Sequence, residues 1–251
     1  VYCTPIDLIE SFQHGIAFSG TLFNHSSYHK KLGLAQLDEG TEGSILNLME
    51  ERETKEKIGL KEVPHKSLKE LLIQIQNHPK KEQVRAIIDS GGFLTDYSTT
   101  EMAVDILKSC DHIDMVLYLP KGKSSFYLMK RDGGDPIKLE STSLKEITQY
   151  VSLDKLFVLY DELRATGTDI HLASDTICFQ TIDPRMPIRT FLQGALRARG
   201  FFNNQRIQPV LTTEGRKELC NGGKTFRDLR QTLEKNEAIA IAAQALKSYQ
   251  E

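Results

Sequence analysis

Four cysteines, a nearly balanced charge and no long apolar run set the first limits on this sequence. Cys3, Cys110, Cys178 and Cys220 are scattered and show no Cys-x-x-Cys spacing, which excludes a disulfide framework and a cysteine zinc site. Reduced thiols, and with them a cytoplasmic setting, are the simplest expectation. A formal net charge of −2 excludes generalised polyanion binding, so any contact with nucleic acid must come from a local basic patch. No apolar stretch approaches the roughly 18 residues needed to cross a bilayer, and no leader peptide is legible. A membrane partner is therefore not expected. Neither Gly-x-Ser-x-Gly nor a cysteine in a recognisable nucleophile setting occurs, which removes the familiar hydrolase signatures. A complete phosphate-binding loop is also lacking. Gly222-Gly223-Lys224-Thr225 comes nearest, but Glu218 stands where the first glycine is needed and lies in a helix-like run. A helix stop at Asn221-Gly222 explains that stretch better.

What is present is the composition of an ordinary globular protein, 39% hydrophobic and 26% charged, in a chain of 251 residues that can bury a full core. The sequence opens at Val1 in mid-pattern and reads as a piece of a larger protein.

Gly15 to Thr21 is a short apolar run ending in Ser19-Gly20-Thr21, either a strand closing in a turn or part of a motif. His25 and His29, four apart, could share a helix face as a metal pair or lie on the surface. The periodicity predicts amphipathic helices over 42–56 and 66–77 within a Glu- and Lys-rich connector spanning 36–81. Val84 to Asp89 is a buried strand candidate, followed by Ser90-Gly91-Gly92. That turn is either tight or a phosphate cradle of backbone amides. Ser98 to Glu101 should cap the next helix, which runs to about Cys110. Asp132-Gly133 between two alternating runs signals a hairpin.

The most informative stretch is 157–200. Phe157-Val158-Leu159-Tyr160 has the unbroken apolar character of a buried parallel strand and ends in Asp161-Glu162. Thr166-Gly167-Thr168-Asp169 follows, then a second strand, Thr176 to Gln180, and a helix expected over Ile188 to Arg199. Loops at the carboxyl ends of parallel strands form the ligand crevice, so Thr166 to Asp169 should lie there. Gln193 and Arg197 share a helix face with Arg189 one turn back. Arg185, Arg189, Arg197, Arg199 and Arg206 occur with no carboxylate between Asp183 and Glu214. That excess suits a phosphate-bearing partner; the alternative is a set of arginines paired with carboxylates elsewhere in the fold.

Thr166-Gly167-Thr168-Asp169-Ile170 resembles the fifth motif of superfamily 2 helicases and translocases, and Gln193-Gly194-Ala195-Leu196-Arg197-Ala198-Arg199 is similar to their sixth, Gln-x-x-Gly-Arg-x-Gly-Arg. Leu196 stands at the motif's glycine, and Gly200 at its last arginine, with Arg199 one position early. Ser19-Gly20-Thr21 resembles the third motif. Tyr160 to Ile170 is also similar to Leu-Asp-Glu-x-His-x-Arg-Gly-Thr-Asp-Leu of a family of very large uncharacterised helicase-like proteins, some labelled ubiquitin hydrolases in fungi; Arg164 replaces the histidine and Thr166 the arginine.

This resemblance implies an α/β fold of RecA-like type, with a mostly parallel sheet flanked by helices. Residues 1–35 would be the tail of a first lobe, 36–81 the connector, 82–215 a second lobe and 216–251 a helical extension. It implies the motor lobe of an ATP-dependent helicase-like hydrolase. Gly167, Thr168, Asp169 and Gln193 would meet nucleotide, and Arg197 and Arg199 would be its catalytic arginines. Ser19, Gly20, Thr21, Asp161 and Glu162 would couple the lobes. ATP and Mg2+ would be bound by the full-length protein and not by this chain alone, whose partners would be an upstream lobe and a nucleic acid or protein substrate. Arg197→Ala in the full-length protein is expected to abolish ATPase activity. The hairpin near 132 departs from ordinary helicases and favours the alternative, a non-catalytic interaction module of a large multidomain protein.

Overall fold

The computed structural model describes residues 41–56, 58–161 and 170–248. In chain order the elements are α1 (Thr41–Glu56), β1 (Lys61–Val63), α2 (Leu68–Gln76), β2 (Val84–Ile88), α3 (Thr99–Ser109), β3 (Met115–Tyr118), β4 (Tyr127–Lys130) and β5 (Ile137–Lys138). Then come α4 (Leu144–Ile147), β6 (Leu156–Tyr160), β7 (Ile177–Thr181), α5 (Ile188–Ala195), β8 (Arg206–Thr212), α6 (Thr213–Lys217) and α7 (Phe226–Ser248). The strands form one eight-stranded sheet in the order β1-β8-β7-β2-β6-β3-β4-β5. All neighbours from β1 to β3 are parallel, and β4 and β5 add an antiparallel edge.

The apolar runs explain the layering. A strand buried on both faces needs no polar side, and every residue of β2, β6 and β7 is buried. Successive residues of β6 divide between two cores: Leu156, Val158 and Tyr160 pack with α1, α5 and α7, whereas Phe157 and Leu159 pack with α2 and α3. The sheet thus carries helices on both faces, an α/β arrangement compatible with a RecA-like lobe. Among the described residues no helix is long and apolar enough to cross a membrane.

The segment read as a helical connector contains both expected helices, as α1 and α2. It also supplies β1, whose Lys61 to Val63 register against Val210 to Thr212 as an edge strand, so it belongs to the same layered body. The Asp132-Gly133 signal gives the β4–β5 hairpin, with φ of 85° at Gly133 and 93° at Gly134. Near Lys224, Asn221, Gly222 and Gly223 all have positive φ, in keeping with a chain stop. α3 starts after Ser98 as expected, but the Ser98 side chain makes no capping hydrogen bond, and Thr99 Oγ1 donates to Leu119 O at 2.9 Å.

α1 and α7 pack together through opposite charges. Glu53 accepts the amide of Phe226 at 2.9 Å, satisfying a donor at the start of α7, and Arg227 and Arg230 reach Glu50, each at 3.2 Å. Ring centroids of Phe191 on α5 and Phe226 lie 5.8 Å apart beneath them.

Candidate functional site

The strand order reverses direction between β2 and β7. β2 leads to α3 on one face, and β7 to α5 on the other, so their carboxyl ends border the crevice where open α/β sheets bind ligands. Asp89, 1% exposed, follows β2. Its carboxylate accepts from Phe93 N at 2.8 Å, Leu94 N at 2.9 Å and Thr181 Oγ1 at 2.6 Å. Gly91 N donates to Thr181 Oγ1 at 2.9 Å. The Phe93 and Leu94 amides close the turn onto Asp89 and the Gly91 amide ties it to β7, so the tight turn is the reading these bonds fit. A Cβ on Gly91 would lie 2.8 Å from Ile182 N and C, so backbone packs on backbone there.

At the mouth of that crevice Lys66 Nζ donates to Gly91 O at 3.2 Å and Asp183 Oδ2 at 3.3 Å. Arg185 grips Asp183 through two bonds of 3.0 Å. Burial pushes the Asp183 carboxyl up, but the Arg185 hydrogen bonds and the Lys66 charge outweigh it and bring it down to about 2.

The motif residues fall in different places. Ser19, Gly20, Thr21, Glu162, Gly167, Thr168 and Asp169 lie outside the described residues, as do His25 and His29. Asp161 follows β6 directly and is half-buried, as is Gln193 on α5. The expected helix to Arg199 ends at Ala195. Because the chain leaves the helix there, Arg197 is not carried on its surface: it is 1% exposed, with Nε 3.4 Å from Gln193 O. Arg199, two residues on, is exposed. Three other arginines of this region have carboxylate partners, Arg185 with Asp183, Arg189 with Glu237 at 3.4 Å and Arg206 with Glu56 at 2.7 Å. Two of those carboxylates are remote in sequence, which is why the local charge excess does not survive folding.

Two residues that the sequence reading passed over organise this region. Gln205, 4% exposed, donates to Leu172 O at 3.2 Å and Ala173 O at 3.0 Å and accepts from Gly200 N at 2.7 Å. It joins the end of the segment following Asp169 to the turn following Arg199. Arg52 on α1, 7% exposed, donates to Phe201 O at 2.7 Å, Gln205 O at 3.1 Å and Asn203 O at 3.2 Å. Neither had a sequence signal, since both spend their polar groups mainly on backbone.

The buried thiols offer no activated nucleophile: burial pushes Cys178 up to about 12 and Cys110 up to about 11. No protein-family model matches the chain, and no curated protein or solved structure matches it either. The fold itself defines an α/β protein with an eight-stranded, mostly parallel sheet between two helical layers.

Proposed function

We propose that this chain is the second lobe of a helicase-like ATPase of superfamily 2 type and contributes an arginine-bearing turn to a nucleotide site completed by another lobe. The observation that supports this reading is Gln205, which ties Leu172 and Ala173, shortly after the first motif-like stretch in sequence, to Gly200, directly after the second. The residues present suit a phosphate group in part. Arg199 is an exposed guanidinium on a pinned turn, and Asp161 ends a buried strand as a nucleotide-site carboxylate does. The sequence holds no Gly-Lys phosphate loop, so ATP and Mg2+ would be held mainly by the other lobe.

Phosphoryl transfer is catalysed by positioning and by offsetting charge on the transferred group. In this reading Arg199 offsets that charge, Gln193 orients nucleotide, and the segment Gly167 to Asp169 couples nucleotide state to a nucleic acid or protein substrate. Arg197 is buried and donates back to Gln193 O of α5. The test is ATP hydrolysis by the full-length protein with RNA, DNA and unfolded protein as candidate stimulants.

A second reading, a non-catalytic interaction module with a helicase-like fold, is favoured by the burial of Arg197 and by the carboxylate partners of Arg185, Arg189 and Arg206. A full-length protein that folds and binds partners but hydrolyses no ATP would select it.

A further inference from the structure

The turn from Arg199 to Gln205 is held from two sides by guanidinium groups. Arg52 reaches the carbonyls of Phe201, Asn203 and Gln205, and its guanidinium carbon stands 4.5 Å from the centre of the Phe201 ring. Arg206 Nη1 donates to the same Asn203 and Gln205 carbonyls at 3.0 and 3.1 Å. Glu56, one helical turn beyond Arg52, binds Arg206 through two bonds of 2.7 and 3.0 Å and lies 3.9 Å from Arg52 Nε, keeping the two like charges together. Burying a guanidinium is expensive unless each donor finds a partner, and here the partners lie on one loop. Burial also drives the Arg52 pKa below its ordinary value.

Gln205 adds the second connection. Its carbonyl oxygen takes Gly200 N and its amide group takes Leu172 O and Ala173 O. A Cβ on Gly200 would lie 3.0 Å from Gln205 Cδ, tighter than an ordinary contact, so Gln205 packs closely over the glycine.

We propose that Arg52 and Gln205 form a positioning clasp through which the placement of α1 sets the direction of Arg199 and the spacing between the turn and segment 170–173. The inference rests on the composite-site reading above. α1 precedes the sheet and reaches three carbonyls of the turn through the Arg52 side chain, so a displacement of this helix pulls on all three. Arg52 is thus a positioning residue that acts through the turn and touches no substrate.

The test compares Arg52→Lys, Gln205→Glu, Arg199→Ala and the Arg52→Lys/Arg199→Ala double variant in the full-length protein. Lysine keeps the charge of Arg52 and loses its fork, and glutamate keeps the shape of Gln205 while setting a carboxylate against two carbonyls. Melting temperature establishes that each variant folds. Amide hydrogen exchange at residues 200–205 without nucleotide reports the turn, and kcat and KM for ATP report its consequence. The clasp predicts exchange at least about tenfold faster in Arg52→Lys, with kcat down about tenfold or more and KM for ATP nearly unchanged. It also predicts a double variant no slower than Arg199→Ala alone, since both changes then act on one group. Faster exchange with wild-type kcat, unchanged exchange, or losses that multiply in the double variant would each overturn it while leaving the composite site standing. Full turnover in Arg199→Ala would instead remove the composite-site reading and the clasp's catalytic role with it.

Discussion

Gly194 of α5 lies directly against the side-chain amide of Gln180 in β7, so closely that a methyl group there would sit inside contact distance of both Gln180 Nε2 and Ser90 Oγ. Gln180 cannot retreat: it is fully buried, and Nε2 donates to Phe191 O at 2.8 Å and Ser90 Oγ at 3.0 Å. Glycine is what lets the helix approach the sheet at this point. Gly194→Ala is therefore expected to destabilise the fold by about 1–3 kcal/mol through overpacking, read as a lower denaturant midpoint at constant slope. Ser90→Ala in the same background should recover part of the loss, and a Gly194→Ala protein of unchanged midpoint would contradict this packing.

Asp183 makes stability depend on acid. Its carboxyl sits at about 2 in the folded chain, below the ordinary aspartate value, because the Arg185 bonds and Lys66 overcome the opposing effect of burial. A depressed pKa gives stability that is complete above the unfolded value near 4 and is lost as pH falls from about 4 toward 2. Since Arg185 is largely exposed, solvent screening reduces the contribution to about 1 kcal/mol. Asp183→Asn should cost about that much at pH 7 and flatten the stability profile between pH 4 and 2. A steep profile retained in the variant would assign the acid sensitivity elsewhere.

Glu53 tests how α1 is fastened to α7. Both of its oxygens lie 2.9 Å from Phe226 N. Glu53→Ala should lower stability by about 1–2 kcal/mol, the range of a lost helix cap. Glu53→Gln keeps an acceptor and should lose less than half as much. Equal losses in the two variants would show that packing, not the amide bond, sets the effect.

The sheet was largely legible because its strands announce themselves by burial. Phe157 to Tyr160 is an apolar run that no exposed element would carry, and it lies in a strand of the structure. β1 was not legible. Lys61-Glu62-Val63 pairs with β8 through backbone at an edge, which leaves no side-chain pattern to read. α5 looked longer than it is because Leu196 to Arg199 have helical propensity, which contacts from Gln205 and Arg52 to the following turn override. Arg189 and Arg206 looked unpaired because their carboxylates, Glu237 and Glu56, are far away in sequence. The region's two organising residues were invisible for a related reason: Gln205 and Arg52 bond mainly to carbonyls, which every residue possesses.

The most direct measurement is ATP turnover by the full-length protein with and without Arg199→Ala, alongside nucleotide binding. The account predicts hydrolysis in the wild type and a loss of about a thousandfold or more in kcat in the variant, with nucleotide still bound by the other lobe. Turnover unchanged by Arg199→Ala, or a folded wild type that hydrolyses no ATP under any stimulant, would contradict it.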